Sequence, residues 1–471
     1  MHAAGHSFNV LSPAEEDILH RNILRLVDEV GLQVESDALL DRVQASGLGA
    51  RIDRTRRRMM LPPAAAEAFI ASSEPVRWEE RPPRVNGGVE VYYGHYLDPV
   101  TDEYAPMTVE RARRYFRVAH ALPHVNNTSM LGCPLNDVPR AAEPLYERYW
   151  SWSLGVRPGG SIHQVRWAPY ILEMYDVHAA ATGQSPEEVF SAGVYLVPPF
   201  KLGYQEAEQV LWFLERGRRV HIGGSMPTGG ATAPVTLAGM VALTAAEGLL
   251  LGALNRALFG DRTWGIWMSV TAMDPRTAMR PYGRPDMALA NLMGLQLARR
   301  YRCDGGGHSG LTDSPRPSPA AAAQKLQSAL STLLARGRVG VPMGLLAVDE
   351  VFSPVQIALD DEMVSALEQF TREYEISDES IAADMVAAVG PGGNFAAEEH
   401  TARWFRRELW EPVLWERHHF SAWRERDGRT DLDRARERVL EILAQPAPPS
   451  AIGEEEEREL QKIIRRAMSR G

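Results

Sequence analysis

From about residue 123 the chain alternates between short runs of apolar or small residues and amphipathic stretches of helical length. The short runs predict eight strands, over Val125–Leu131, Gly160–Val165, Val189–Val197, Val220–Gly224, Trp264–Thr271, Cys303–Ser309, Gly340–Val348 and Met385–Val389. Eight strands in regular alternation with helices are what a (β/α)8 TIM barrel, an α/β fold, requires. A doubly wound parallel sheet is the alternative, and the regular spacing favours the barrel over it.

The segments on either side of this alternation predict an N-terminal α/β extension and C-terminal helices. Ser12 to Glu15 form a capping-box pattern at a helix start, and residues 85–107 alternate with turn residues as hairpin strands do. We therefore expect an extension over residues 1–120, a catalytic barrel over 121–425 and a helical tail over 426–471. The tail contains Glu454–Arg466, whose acidic start and basic end predict a solvated terminal helix.

Composition excludes several classes of protein. The chain has 471 residues, with 61 acidic and 51 basic side chains and a net charge of −10, which argues against unspecific nucleic-acid binding. Hydrophobic residues make up 45% of the chain, enough for a large core rather than a disordered protein. Cys133 and Cys303 are the only cysteines, so the sequence predicts neither a disulfide scaffold nor a cysteine-rich zinc site.

The first residues and the longest apolar stretch bear on location. Met1 to Phe8 lack a basic segment followed by an apolar one, so we expect no signal peptide and a cytoplasmic protein. The stretch Gly229–Phe259 contains Glu247 and Arg256, which are costly to insert into hydrocarbon. The sequence therefore predicts a buried core helix there and no membrane partner.

Three glycine-rich segments follow predicted strands. They are Gly223–Gly239, Asp304–Gly310 and Gly390–Phe395. The first is neither a GxGxxG fingerprint nor a phosphate-binding P-loop, because its glycine spacing differs and it lacks Gly-Lys-Ser/Thr. Since loops that follow barrel strands face the catalytic mouth, we expect these backbones to approach a ligand.

Histidines and acids give a weaker signal. The sequence contains no HExxH or HxH pattern, so we predict no metal site. His163 and His308 fall at predicted strand ends, where a barrel places its working groups, and each is as consistent with a structural role. The acidic run Asp360–Glu362 is better explained as the N-cap of a helix than as a carboxylate site.

Aromatic residues at strands are more informative. Trp264 and Trp267 are three positions apart, so on a strand they face opposite sides and at most one points into the barrel. Tyr195, Phe352 and Phe395 are further candidates at the mouth. Each ring alone is more often core filler, but a cluster of rings would bind a quaternary ammonium by cation–π attraction.

At these same loops the sequence resembles the trimethylamine methyltransferase family. The resemblance covers about residues 10–445 and rests on a small set of motifs: Thr228–Gly239 followed by Ala245-Ala-Glu247, Leu359–Glu362, and Val389–Phe395 followed by His400-Thr401. The Gly94–Pro106 segment adds weaker support. The resemblance implies a TIM barrel and an enzyme that passes a methyl group from a methylated amine to a corrinoid (cobalamin) presented by a cognate partner protein.

Two departures from the family bear on the substrate. Trimethylamine enzymes of archaea carry pyrrolysine in the barrel, and this sequence has none; relatives without it act on quaternary amines such as glycine betaine. A quaternary nitrogen leaves as a neutral amine, whereas a tertiary amine must first be protonated. The second departure is Leu311–Pro319, which is richer in proline than the corresponding stretch in relatives.

We therefore expect a methyltransferase for a quaternary or tertiary methylated amine such as a betaine, with no tightly bound cofactor of its own. Trp264 or Trp267, Tyr195, Phe352 and Phe395 would surround the ammonium. His163, Gln164, His308 or glycine-loop amides would hold a substrate carboxylate. Alternatives are a metal-dependent barrel hydrolase or lyase, or a betaine-binding barrel without turnover; a homo-oligomer is possible in each case.

Overall fold

The computed structural model describes residues 8–426 and 428–470. Its α-helices, numbered in chain order, are α1 Pro13–Glu29, α2 Asp37–Ala45, α3 Pro63–Ser72, α4 Val109–His120, α5 Glu143–Ser153, α6 Ala168–Thr182, α7 Pro186–Val189, α8 Tyr204–Leu214, α9 Leu237–Phe259, α10 Pro285–Arg300, α11 Pro319–Arg336, α12 Pro354–Phe370, α13 Asp378–Ile381, α14 Ala383–Val389, α15 Glu399–Glu408, α16 Phe420–Arg426, α17 Asp431–Ala444 and α18 Glu454–Arg470. Short 3-10 helices occupy Trp78–Glu80, Arg140–Ala142 and Val165–Trp167.

The strands are short, and most lie between two helices. They are β1 Leu32–Val34, β2 Arg51–Asp53, β3 Arg58–Met60, β4 Arg84–Val91, β5 His95–Leu97, β6 Tyr104–Pro106, β7 Val125–Met130, β8 Arg157–Pro158, β9 Gly193–Tyr195, β10 Lys201–Leu202, β11 His221–Gly223, β12 Thr228–Gly229, β13 Gly265–Met268, β14 Thr271–Ala272, β15 Asp304–Gly307, β16 Arg338–Met343, β17 Leu345–Leu346 and β18 Val351–Phe352.

Parallel pairing organises the longer strands. β16, β4, β7 and β8 form one parallel sheet in that order, and β9 pairs with β11 and β13 with β15. The ladder between β4 and β16 runs from Arg84 opposite Arg338 to Val89 opposite Met343. The chain is therefore a mixed α/β fold with parallel sheets. Among the described residues the ladders form separate sheets rather than one continuous ring.

Three strand predictions need correction. Residues 160–165 contain no strand: the nearest strand, β8, ends at Pro158, and a 3-10 helix begins at Val165. Gly160 and His163 have positive φ angles, which interrupt an extended backbone.

Residues 385–389 lie in helix α14, none of whose residues is buried in the core. The segment 85–107 is a hairpin only at β5–β6; β4 instead lies between β7 and β16 in the parallel sheet. That sheet crosses the predicted boundary at residue 120, and the division into domains stays a prediction.

Helix α9 is the apolar stretch that the sequence predicts to be buried. It is the one helix of the described part that is long and apolar enough to cross a membrane, and 72% of that stretch is buried inside the fold. Gly248 faces Ile266 and Gly252 faces Trp264, so the absence of side chains at these two positions lets α9 lie close to β13. The helix is a core element that supports the strand from one side.

The acidic run in α12 lies inside the helix rather than at its start. Ser353 caps α12 by accepting a hydrogen bond from the Gln356 amide, so the prediction that Asp360–Glu362 cap it is wrong. All three carboxylates have protein partners: Lys325 Nζ for Asp360, the His124 amide for Asp361, and the amides of Val413, Leu414 and Trp415 for Glu362.

The last helix also differs from the prediction. Helix α18 buries Leu460, Ile463, Ile464 and Ala467 against the fold, so it is not simply solvated. Its acidic first turn forms specific contacts: Glu456 lies 2.7 Å from His178 Nδ1, and Glu457 accepts from the Tyr149 hydroxyl at 2.7 Å. The C-terminal helix is therefore packed on α5 and α6.

Candidate active site

Side chains of the parallel strands divide between two faces. On β9 and β11, Val194 and Ile222 are buried in the core, whereas Tyr195 and His221 point to the opposite face. On β13, Met268 lies against Gly294 of α10, so Trp267 faces away from the helices. The face that is turned away from the helices is therefore where the predicted site residues can meet a ligand.

Glycines keep part of this face open. A Cβ at Gly340 would meet no atom within 4 Å, and one at Gly193 would meet none closer than 3.6 Å. Two other glycines lie directly opposite aromatic residues in the ladders: Gly223 opposite Tyr195 and Gly306 opposite Trp267. A Cβ at Gly223 would be 2.5 Å from Tyr195 Cδ1, so this glycine is needed for the ring to lie flat across the sheet.

Tyr195 is the most accessible ring of the predicted site. It exposes 61% of its surface, yet burial, and next the carboxylates of Glu90 and Glu147, raise the pKa of its hydroxyl. The ring is therefore accessible, while its hydroxyl lies within the electrostatic influence of two carboxylates. Its centroid is 6.5 Å from that of His221, with the rings edge to face.

Two acids and a second tyrosine lie near Tyr195. Tyr92 donates a hydrogen bond to Glu90 Oε2 at 2.6 Å. Burial, then Glu90, Asp349 and Tyr195, raise the pKa of Tyr92 far above its usual range. Burial also raises the pKa of Asp349, and Arg280 opposes that shift. These groups form a partly buried patch of rings and carboxylates, which favours a cation.

A basic group, Arg280, interacts electrostatically with Asp349 of the same patch. Arg280 donates to the carbonyl oxygens of Met226, at 3.1 Å, and Ser269, and its Cζ is 5.3 Å from the Tyr282 ring centroid. The Tyr282 ring is in turn 5.3 Å from the ring of His308. Burial and the charge of Arg280 lower the pKa of His308 to about 4, so this imidazole is neutral at pH 7.

The two tryptophans face opposite sides, as the spacing predicts. Trp264 is buried and packs against Phe69 and Tyr301, so it is a core residue. Trp267 exposes 54% of its surface, and the Arg336 guanidinium lies 5.3 Å from its ring centroid. Arg336 is the last residue of α11 and also pairs with Asp304 at the start of β15, so the Trp267 ring already has a cationic neighbour from the protein.

His163 and Gln164 form a separate polar group after β8. His163 Nδ1 is 3.7 Å from Glu143 Oε2, which also accepts from the Tyr93 hydroxyl at 3.0 Å. Gln209 fixes the backbone by donating to the His163 carbonyl oxygen at 2.9 Å. Gln164 is exposed and precedes a 3-10 helix. No contact among the described residues joins this group to His308.

The two phenylalanines do not join the patch. Phe352 is completely buried, and its ring packs edge to face with Tyr115 at 6.1 Å. Phe395 lies in the third glycine-rich segment, among exposed residues, where its carbonyl oxygen accepts from the Thr401 hydroxyl. A Cβ at Gly390 or Gly392 of this segment would meet no atom within 4 Å.

The first glycine-rich loop is held by a buried acid of α9. Glu247 accepts from the amide and the hydroxyl of Ser225, at 2.7 and 2.8 Å, and from the Phe200 amide at 3.3 Å. Burial raises its pKa and these hydrogen bonds oppose the shift. Glu247 thereby fixes the segments that follow β9, which ends at Tyr195, and β11.

The proline-rich segment is anchored to the β5–β6 hairpin. Arg316 pairs with Asp102 at 2.6 Å, and its guanidinium lies 4.8 Å from the Tyr104 ring centroid. The Tyr104 hydroxyl donates to the Pro315 carbonyl oxygen. Within the described part of the chain, no three His, Cys, Asp or Glu side chains are grouped as a metal site would require.

Sequence reasoning missed Glu90, Tyr92, Arg280, Tyr282 and Asp349. A signal for two of them was present, because Arg280-Pro-Tyr282 follows the predicted strand Trp264–Thr271, and polar residues after a strand are candidates for a site. Glu90 and Tyr92 were missed because their segment was predicted to be part of a hairpin, not of the parallel sheet.

A fold of parallel strands and helices with an open patch of rings and acids beside a partly buried arginine is typical of an enzyme that acts on a small charged molecule. The sequence model of the trimethylamine methyltransferase (MTTB) family matches residues 3–471, and the chain belongs to this family. It is 25% identical to a glycine betaine methyltransferase of Desulfitobacterium hafniense (strain Y51), over 97% of this chain and 96% of that protein.

Two trimethylamine methyltransferases are similarly distant. The chain is 24% identical to MttB of Desulfitobacterium hafniense (strain DSM 10664 / DCB-2), over 94% of this chain and 91% of that protein. It is 26% identical to MttB of Methanosarcina barkeri over 57% of this chain and 55% of that protein. The chain is therefore a methyltransferase of this family, and relatives with two different named substrates are equally far from it.

Proposed function

We propose that this chain transfers a methyl group from a quaternary methylated amine to the cobalt of a corrinoid carried by a separate protein. Two observations support the proposal: membership of the family over the whole chain, and the patch formed by Tyr195, Tyr92, Glu90 and Asp349. The patch is the reason for proposing a cationic substrate, because aromatic faces and carboxylates both attract an ammonium group.

The reaction class follows from the chemistry of the nitrogen. In an in-line displacement the methyl carbon–nitrogen bond breaks, its electron pair remains on nitrogen, and cobalt(I) is converted to methyl-cobalt(III). A quaternary ammonium leaves as a neutral tertiary amine and needs no proton. The protein's part is to hold the methyl group in line with the acceptor and to remove water from the cation.

We also propose that the parallel sheets are parts of one (β/α)8 barrel. Eight parallel strands follow one another along the chain: β4, β7, β8, β9, β11, β13, β15 and β16. The last of them pairs with the first, and the Gly193 amide donates to the Gly160 carbonyl oxygen just beyond β8. In this arrangement β4 is the first barrel strand, and Arg280 and His308 follow the carboxyl ends of strands, where barrel sites lie.

The test is methyl transfer by the purified chain with reduced cobalamin as acceptor. The loss of cob(I)alamin absorbance would be followed with glycine betaine, choline, tetramethylammonium and trimethylamine. The proposal predicts methyl-cobalamin with at least one quaternary amine and little with trimethylamine. Transfer from trimethylamine alone, or binding of quaternary amines without transfer to reduced corrinoid, would contradict it. A cytoplasmic location is part of the same proposal.

A further inference from the structure

Two arginines lie side by side at the amino ends of β4 and β16. Arg84 begins β4, Arg338 begins β16, and the two residues are directly opposite each other in the parallel ladder. Val85 and Val339, which follow them, are buried in the core, so both arginines point to the face that is turned away from the helices. Because neighbouring strands are about 4.8 Å apart, the two side chains start close together.

Two further arginines and one acid lie at the same place. Arg81 and Arg336 pair with Asp304 Oδ1, at 3.2 and 3.1 Å. We name Arg81, Arg84, Arg336 and Arg338 the basic cluster. Burial, and next the charges of the other three arginines, lower the pKa of Arg338, and Asp304 opposes that shift. The cluster therefore has four positive charges against one negative charge, in a chain whose net charge is −10.

The basic cluster has unused hydrogen-bond donors. The Nε atoms of Arg336 and Arg338 are buried and have no hydrogen-bond partner. Among the side chains that the structure describes, neither Arg84 nor Arg338 forms an ion pair. Guanidinium groups this close to one another repel, so the binding of an anion would stabilise the cluster.

An open space and an aromatic ring lie beside the basic cluster. Gly340 is the next residue after Arg338 on the same face of β16, and a Cβ there would meet no atom within 4 Å. The exposed ring of Trp267 has its centroid 5.3 Å from Arg336 Cζ. A ligand can therefore reach the guanidinium groups from the open side of the sheet.

We propose that the basic cluster binds a phosphate group, either as free phosphate or as part of a phosphate ester. A phosphate dianion offsets most of the excess positive charge, and its oxygens accept hydrogen bonds from more than one planar guanidinium. Glu90 lies six residues along β4 from Arg84, which is about 20 Å at 3.3 Å per residue. The site is therefore distinct from the patch around Tyr195, and the inference does not depend on the proposed function.

A purely structural role for the arginines makes a different prediction. If they only join β4, β16 and the start of β15, the loss of Arg84 should lower stability, and phosphate should have no effect. If they bind an anion, the loss of Arg84 removes a repulsion. The free chain should then be no less stable, while its stabilisation by phosphate is lost.

The experiment is calorimetric titration of the full chain with phosphate, pyrophosphate and AMP at constant ionic strength. We expect the wild type to bind at least one of them. Arg84→Gln and Arg338→Gln should each weaken that binding about 10- to 100-fold, as expected for hydrogen bonds to a charged group. Arg77→Gln is the matched control, because Arg77 is exposed and pairs with Glu80 just before the cluster; it should change the affinity less than about 3-fold.

The same titrations distinguish the two sources of the phosphate group. If AMP binds more tightly than phosphate and Trp267→Leu removes the difference, the ring stacks on the base and the ligand is a nucleotide. If the two bind equally, the phosphate group alone is recognised. Either result supports the site.

Three outcomes would overturn the inference. They are no binding of any of the three anions, equal affinities in the wild type and both cluster variants, or a wild-type melting temperature that phosphate raises no more than chloride does at equal ionic strength. The last comparison uses the wild type alone, so it decides the matter even if a variant folds poorly.

Discussion

Tyr195 combines an exposed ring with a hydroxyl that the protein surrounds. The ring is accessible because its neighbour across the ladder is Gly223, and its opposite face is supported by the sheet. A cation that meets such a ring gains on the order of 1–2 kcal/mol if it is desolvated. The carboxylates of Glu90 and Glu147, which also raise the pKa of the Tyr195 hydroxyl, add a longer-range attraction. At the scale of single residues, Tyr195 is therefore the best candidate for contact with the ammonium group.

Replacing Tyr195 should weaken the binding of any quaternary amine. We expect Tyr195→Ala to raise the Kd about 5- to 30-fold, because the ring is lost, and Tyr195→Phe to change it less than about 3-fold, because the ring is kept. Tyr204→Ala is the control, since Tyr204 is as exposed but lies at the start of α8. Calorimetry with tetramethylammonium measures the effect. Equal affinities for Tyr195→Ala and the control would exclude Tyr195 from the site.

His308 should make stability depend on pH. Its pKa is lowered from 6.5 to about 4 by burial and by Arg280, so between these values the unfolded chain binds more protons. Stability is then lost as pH falls from about 6.5 to 4, by up to on the order of 3 kcal/mol. The difference in unfolding free energy between wild type and His308→Gln should change accordingly when urea melts at pH 7 and pH 4.5 are compared. A constant difference would contradict the assigned pKa.

The sequence predicts features that depend on neighbouring residues. It does not predict features that depend on contacts between residues distant in the chain. The spacing of Trp264 and Trp267 predicts opposite faces, which is confirmed, but cannot show that Trp264 packs on Phe69. Phe352 follows a short strand like a site residue, yet Tyr115, which is distant in sequence, covers it. Arg280 was missed because its burial depends on segments that meet only in three dimensions.

Helices α11 and α12 are joined by a buried ion pair. Lys325 Nζ lies 3.2 Å from Asp360 Oδ2 and donates to the carbonyl oxygens of Pro342 and Leu345. Asp360 also accepts from the Gly344 amide at 2.8 Å. The pair therefore fixes the turn that follows β16 against both helices. The sequence suggests that Asp360 caps a helix. Its actual partner, Lys325, lies in another helix, so the residues next to Asp360 give no indication of the ion pair.

Removal of one charge of this pair should be costly. We expect Lys325→Met to lower the free energy of unfolding by about 3–5 kcal/mol, because it leaves a carboxylate buried alone. Lys462→Met, which breaks an exposed pair with Glu459, should cost less than about 1 kcal/mol. Urea unfolding measures both values. The double variant Lys325→Met/Asp360→Asn should be more stable than Lys325→Met alone; if it is less stable, the buried charge is not the cause.

For the whole molecule, the alternation of short runs and helices predicts an α/β fold, and the parallel sheets confirm that much; the closed barrel stays a proposal. The sequence could not show that β4 belongs to those sheets, because parallel pairing with β7 and β16 leaves no local signal. The helices between residues 373 and 426 were not predicted either. They bury only Trp404, so the spacing of hydrophobic residues gives little indication of them.

The most direct measurement follows the methyl carbon itself. Glycine betaine with 13C in all three N-methyl groups would be incubated with the chain and excess cob(I)alamin and observed by NMR. The account predicts that one equivalent of label appears as methyl-cobalamin for each equivalent of dimethylglycine formed. Label that stays on betaine despite binding, or dimethylglycine formed without methyl-cobalamin, would contradict the claim that this chain transfers a methyl group from a quaternary amine to cobalt.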